Sequence, residues 1–348
     1  MKMMNKKIKL IIFLFVLTLI LGGFYINVVN RSNLKTGSFI IKEGSSSKEV
    51  FKQLEEEGFI KDAEITRYYS RFFHNSDFKQ GKYEIPALEL DDLIDYLSNS
   101  ANIVQETTTI TFIEGDWLKD MANRIATNTN LDAEGLLNYW NDENVIRSYM
   151  NDYPFLTEDI FNEDARYHLE GYLFPNTYEF FVDTNYDAVT RKMLNETLRI
   201  YNKYLESFNN SELSIHEIFT LASIVQYEAG KKEDMEKVAG VFFNRLNDGM
   251  KLQSSVTVCY ALDLEDKSDW KQCEYNPDYD SPYNTYMYNG LPPGPILNPG
   301  EDALNAVLNP DENDYYYFVA DVCGDGEVYY ASTYAEHQEN VRKYLWCY

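Results

Sequence analysis

The sequence predicts a mixed α+β protein: an N-terminal transmembrane helix, one or two small α+β modules, and a larger mixed α+β domain. Three observations carry this. Twenty consecutive uncharged, mostly apolar residues stand near the N-terminus. A strand, a Glu-Gly turn and an amphipathic helix occur twice, offset by 71 residues. Further along, segments with helical apolar spacing alternate with short β-rich runs and loops dense in Gly and Pro. At 348 residues, 25% charged and 45% hydrophobic, the chain exceeds one ordinary core, so two or more lobes are expected.

The charge balance narrows the function. Acidic residues number 56 against 31 basic ones, and five of the basics (Lys2, Lys6, Lys7, Lys9, Arg31) lie in the first 31 residues, which hold no acid. The remainder carries 26 basic and 56 acidic residues, a net of −30. Such a surface repels a phosphate backbone, so nucleic acid is not expected as a partner. With four histidines, four cysteines and no His-Glu-x-x-His, Cys-x-x-Cys or Gly-rich phosphate loop, neither a metal nor a cofactor is expected. The 29 tyrosines and 20 phenylalanines suit a packed core for the most part, and a sugar-binding cleft for a few.

Leu10 to Val29 is long enough to cross ~30 Å of hydrocarbon. Four lysines precede it, so residues 1–9 are expected in the cytoplasm and the rest of the chain outside the cell. Gly22-Gly23 followed by Phe24 and Tyr25 is a poor cleavage site, which favours an uncleaved anchor in the cell membrane over a signal peptide. Outside the cell, Cys259, Cys273, Cys323 and Cys347 read as disulfide formers. Pairing between neighbours is the simplest of three connectivities.

Residues 37–126 read as the small modules. FIIKEGSSSKEVFKQLEEEGFI is a strand, a Glu43-Gly44 turn and a helix, and ITFIEGDWLKDMANRIATNTNL repeats it with Glu114-Gly115, placing Met121 on Val50 and Ile125 on Leu54. The copies are expected to pack together or onto a larger lobe, with a strand at Lys82 to Ile85 between them. Residues 127–348 form the larger domain. A mostly helical stretch runs from about 130 to 165, an ordered loop carries HLEGYLFPNTYEFF, and a helix covers 184–208.

Ser214-Ile-His-Glu217 is a capping box, so a helix starts there. Its apolar stripe (Ile218, Leu221, Ile224, Val225) continues onto Glu228 at helical spacing, whereas Gln226 points about 200° away. A desolvated carboxyl group keeps its proton near neutral pH, which a general acid requires. An ion pair between Glu228 and Arg245 or Lys237 is the competing structural reading. A second core helix follows through Met235, Val238, Val241, Phe242 and Leu246, ending at Gly249. Loops rigidified by Gly290, Pro292, Pro293, Gly294, Pro295, Pro299 and Gly300 then present Gln253, Thr257, Asn284, Thr285 and tyrosines suited to a polar ligand. A helix at Glu301 to Leu308, a hairpin of YYYFVAD and EVYYAS, and a helix at Tyr334 to Leu345 complete the chain.

The blocks LEGYLFPNTYEF, LASIVQYEAG, VAGVFFNRLNDGMKLQSSVTVCYAL, YNTYMYNGLPPGPILNPG, YYYFVAD and YAEHQENVRKY occur in this order. Through them the chain resembles the MltG/YceG-like family of membrane-anchored endolytic murein transglycosylases over essentially everything after the anchor. The Glu-Gly modules are similar to that family's LysM-like part, which contacts glycan. The resemblance implies a lytic transglycosylase, a lyase that cuts the β-1,4 bond between N-acetylmuramic acid and N-acetylglucosamine in nascent strands, leaves 1,6-anhydro ends and ends glycan elongation. It also implies peptidoglycan synthases and elongation or division proteins as partners. The family's catalytic acid falls on Glu228, the residue that helix periodicity selects independently. Substrate-binding roles are expected of Gln253, Ser254, Thr257, Tyr260, Tyr283, Asn284, Thr285 and Tyr286, and a substrate-binding or cleft-organising role of Glu170, for which a capping or ion-pair role is the structural alternative. The chain departs from the family pattern at Gln226, where the family has an acid, and at Ser255, where it has Asp. A non-catalytic, membrane-anchored glycan-binding or scaffold protein of the wall-synthesis machinery is the alternative reading.

Overall fold

The structure is a computed structural model that describes residues 6–29, 33–42, 44–74, 76–263, 273, 276–321, 324 and 326–345. It divides into two compact units, Met1–Glu106 and Thr107–Tyr348. The fold is mixed α+β, with three two-stranded antiparallel sheets among helices in the described residues.

The first unit contains α1 (Lys6–Val29), β1 (Gly37–Ile41), α2 (Ser47–Glu56), α3 (Ala63–Phe73), β2 (Gly81–Ile85) and α4 (Leu90–Ser98). β1 pairs with β2 so that Phe39 faces Tyr83 and Ile41 faces Gly81. Alternation along both strands sends Phe39, Ile41, Tyr83 and Ile85 inward onto Val50, Phe51 and Leu54 of α2 and Leu93, Ile94 and Leu97 of α4. Ser46 and Glu49 cap α2 reciprocally. In α1 the side chains from Leu10 to Gly23 are exposed. Among the described residues no helix is long and apolar enough to cross a membrane. The expected span at residues 10–29 reaches into positions whose side chains are not described.

The larger unit opens with β3 (Thr107–Thr111) and α5 (Leu118–Asn128), the second copy of the repeat. Gly44 and Gly115 both adopt left-handed φ, +74° and +87°, so the turn is repeated in backbone as well as in sequence. Glu43 lies outside the described residues. The two copies do not share a core. β3 pairs with β4 (Thr177–Phe181), Ile110 opposite Tyr178, and α5 buries Leu118, Met121, Ala122 and Ile125 in the larger unit. The division between compact units therefore falls ahead of the second copy.

Then come α6 (Ala133–Asn141), α7 (Glu143–Tyr149), α8 (Tyr186–Lys203), α9 (Leu205–Asn210), α10 (Ile215–Glu228), α11 (Lys232–Asn247), α12 (Ser255–Ala261) and α13 (Glu301–Leu308). The chain ends with β5 (Tyr317–Ala320), β6 (Val328–Ala331) and α14 (Tyr334–Tyr344). α10 is at the centre: Ile218, Leu221, Ala222, Ile224 and Val225 are all fully buried. β5 and β6 form the expected hairpin, with Phe318 facing Tyr330.

Cys259 of α12 is joined to Cys273 by a disulfide, Cα to Cα 4.9 Å. Cys323 and Cys347 lie outside the described residues. The bridge closes a sequence separation of 14, and a loop of that size contributes about 3 kcal/mol by constraining the unfolded chain. Replacing both cysteines with serine should lower the denaturant-derived unfolding free energy by about that amount. Identical unfolding curves with and without the bridge would refute it.

Candidate active site

The capping box forms as the sequence predicts: Ser214 Oγ accepts from Glu217 N at 3.2 Å, and Glu217 Oε2 accepts from Ser214 N at 2.8 Å. From that start the helix delivers Glu228 as its last residue, half-buried, where the apolar stripe opens onto a cleft of about 390 Å³. Ser254 Oγ donates to Glu228 Oε1 at 2.6 Å. Such a length is typical of a hydroxyl bonded to a carboxylate. Gln226 points to another side, where its carboxamide oxygen accepts from Gly300 N, the N-cap of α13, at 2.9 Å. Gln226 thus caps a helix start and does not line the cleft.

Ser254 is positioned by a ladder of hydroxyls. Its amide donates to Thr285 Oγ1 at 3.0 Å, its carbonyl accepts from Thr257 Oγ1 at 2.8 Å, and the two threonine hydroxyls lie 3.0 Å apart. Gln253, just before it, has φ +51° and donates from its amide to the Thr285 carbonyl at 3.1 Å. A side chain in that left-handed region is strained, and such strain gathers at functional sites. Across the cleft Arg245 of α11 is 7% exposed. Its Nε donates to Tyr316 O and its Nη1 to Leu252 O, each at 2.6 Å, which ties α11 to the residue just before β5 and to the loop before Ser254.

The expected site residues separate into three groups. Gln253, Ser254 and Tyr286 line the cleft with Glu228. Thr257, Asn284 and Thr285 are buried behind it. Asn284 Nδ2 clamps its own loop by donating to the carbonyls of Pro277 and Tyr279 at 2.8 and 2.7 Å. Glu170, Tyr260 and Tyr283 are buried elsewhere in the larger unit and do not line the cleft. Tyr260 and Tyr283 pack ring to ring at 4.9 Å, and Tyr283 OH accepts from Arg166 N at 3.1 Å.

Glu170, 1% exposed, is a junction between segments. Its Oε1 accepts from Leu118 N at 2.8 Å and Asn298 Nδ2 at 3.1 Å, and its Oε2 from Tyr260 OH at 3.2 Å. Sequence reasoning treated Arg245 only as a partner for Glu228, and gave no site role to Tyr317, Tyr334 or His337, which complete the cleft wall. The block around His337 was among the distinctive motifs, and that was the available signal. Ser255, the other departure from the family pattern, also lines the cleft.

Burial pushes the Glu170 carboxyl up to about 8 despite those three donors. A raised folded-state pKa means that the native protein holds a proton which the unfolded chain releases above about 4.5. The stabilisation from that proton is complete at more acidic pH and is lost progressively as pH rises to about 8, at up to about 1.4 kcal/mol per pH unit. Glu170→Gln should flatten the fall of unfolding free energy between those limits. An unchanged pH dependence would contradict the assignment.

The likeness to known proteins extends over nearly all of this chain. The profile of the YceG-like family matches residues 39–343. A Bacillus subtilis (strain 168) protein named endolytic murein transglycosylase is 34% identical over 337 residues, covering 94% of this chain and 91% of the relative. A protein of the same name from Streptococcus pneumoniae D39 is 34% identical over 88% of this chain, which spans 58% of that longer relative. The crystal structure of a yceG-like protein from Listeria monocytogenes superposes with a TM-score of 0.61 at 33% identity, covering 88% of this chain and 99% of that one. With the fold, the motif order and these matches in agreement, the chain belongs to the YceG-like family.

Proposed function

We propose that this protein is an endolytic lytic transglycosylase of peptidoglycan, a lyase that cuts the N-acetylmuramic acid β-1,4 N-acetylglucosamine bond in nascent strands and leaves 1,6-anhydro-muramyl ends. One observation carries the reading: among the described residues, Glu228 is the one carboxylate lining the cleft. Hydrolytic glycosidases need two carboxylates, one as acid and one as nucleophile or water-activating base. A transglycosylase needs one. Protonated Glu228 donates to the glycosidic oxygen as the bond to C1 breaks. The C6 hydroxyl of the same muramyl sugar closes onto C1, and the Glu228 carboxylate accepts the proton that this hydroxyl sheds.

Ser254 orients the carboxyl group for both transfers. Glu228 stands in the last turn of α10, at the negative end of its dipole, and the Arg245 charge faces the same cleft. The internal nucleophile has the advantage of an intramolecular reaction.

The relatives named endolytic murein transglycosylase support the same reading. The uncharged run from Leu10 to Val29, with exposed side chains from Leu10 to Gly23, supports an anchor in the cell membrane with the catalytic unit outside. In this reading the first unit contributes LysM-like contact with glycan, and strand termination proceeds beside peptidoglycan synthases and elongation or division proteins.

The test uses full-length protein in detergent, purified glycan strands and mass spectrometry of the products. Anhydro-muramyl ends should form, and Glu228→Gln should slow their formation by about 10²–10⁴-fold, the range of general acid catalysis. Unchanged cleavage by the variant, or no cleavage by either protein, would overturn the proposal.

A further inference from the structure

Arg245 is a buried cation that forms no ion pair among the described residues, although the Glu228 carboxylate shares its cleft. Its hydrogen bonds there go only to the carbonyls of Tyr316, Leu252 and Lys251, from Nε and Nη1, and Nη2 makes none. Buried charges are ordinarily paired, since an uncompensated one loses its hydration without return. Carbonyl dipoles answer part of this deficit and leave one face of the planar fork unused. Because Arg245 lines the cleft, that face is available to whatever occupies it.

His337 supplies a second, independent observation. Its Nδ1 is buried without a hydrogen-bond partner, although its ring also lines the cleft. Tyr317 joins the two: the Arg245 guanidinium lies over its ring at 5.1 Å, and the His337 ring stacks on it at 5.1 Å. Burial and, secondarily, the Arg245 charge push the imidazole below its usual range, so the ring is neutral near pH 7. A neutral imidazole has one N–H donor and one acceptor. In a protein of net charge −25, a cleft wall carrying an unpaired guanidinium selects for negative charge.

We propose that Arg245 and His337 form a carboxylate-binding subsite in the Glu228 cleft. This rests on the glycan-cleaving reading and adds to it. The sugar rings of a glycan strand are neutral, so the carboxylate comes either from the peptide stem or from the lactyl group of a muramyl residue without its stem. With Nε and Nη1 held by carbonyls, Nη2 of Arg245 keeps its N–H donors for a charge-assisted bond to a carboxylate oxygen.

The experiment measures strand binding by calorimetry with full-length Glu228→Gln protein, so failure to cleave and failure to prefer a carboxylate are separate results. Three probes are compared: strands with free stem carboxylates, the same strands with those carboxylates amidated, and strands stripped of stems, which expose the lactyl carboxylate. The amidated strands are the neutral reference. At least one carboxylate-bearing probe should bind about tenfold tighter than the reference, and which one does so identifies the source. That ratio should collapse in Arg245→Gln, and fall in Arg245→Lys, which keeps the charge without the fork, and in His337→Gln. If Arg245→Gln does not fold, the wild-type ratio and the other two variants decide. Equal binding of all three probes, or a ratio that survives all the variants that fold, would overturn the subsite.

Discussion

A carboxyl group buried to 1% exposure ties the larger unit together. Glu170 needs donors that its own segment cannot provide, and it takes them from the N-terminus of α5, the Pro-Gly loop and α12. Asn298 extends the junction. Its Nδ2 also reaches Asp116 O at 3.1 Å, and its Oδ1 accepts from Leu173 N at 3.1 Å. Leaving any of these buried groups unpaired costs about 1–3 kcal/mol, so the segments are held in one arrangement. The consequence for the cleft runs through α12: Tyr260 reaches Glu170, while Ser254, the N-cap of the same helix, meets Glu228. The acid that stays in the core is thereby linked through α12 to the acid that faces the cleft.

The cleft is built from parts distant in sequence. α10 brings Glu228, α11 brings Arg245, the strained Gln253 leads into Ser254, and the hairpin strand β5 with α14 closes the far side. Phe318 meets Phe242 of α11 edge to face at 5.8 Å, so the hairpin is fastened to the same helix that carries Arg245. Aromatic and aliphatic side chains make up most of the rest, with the hydroxyls of Ser254 and Ser255 and the amide of Gln253 among them. Charge is confined to a few positions, where it acts on the reacting acid or awaits a ligand.

What could be read from sequence follows from the range of the interactions. The Ser214 and Glu217 cap and the stripe from Ile218 to Val225 are local, so they located α10 and set Glu228 apart from Gln226. The repeated Glu-Gly unit was equally plain, down to the glycine conformation. Its packing was not, because β3 is paired with a strand 66 residues further along in register, Thr111 opposite Thr177. Tyr260 and Tyr283 belong to segments whose composition suits a ligand, whereas the contact of their rings at 4.9 Å and their burial are set by tertiary packing, which composition does not report. His337 lies on α14, a helix to which the sequence gives no site role. Only its stacking on Tyr317 brings it into the cleft.

The central claim is that one carboxylate suffices because the nucleophile belongs to the substrate. Cleavage of glycan strands in water enriched in oxygen-18 tests it most directly, since the isotope reports which oxygen attacks C1. The account predicts new muramyl ends that carry no label and are lighter than the hydrolysed form by one water. Label at C1 of the new ends would contradict it, because water would then be the nucleophile and a second activating group would be required.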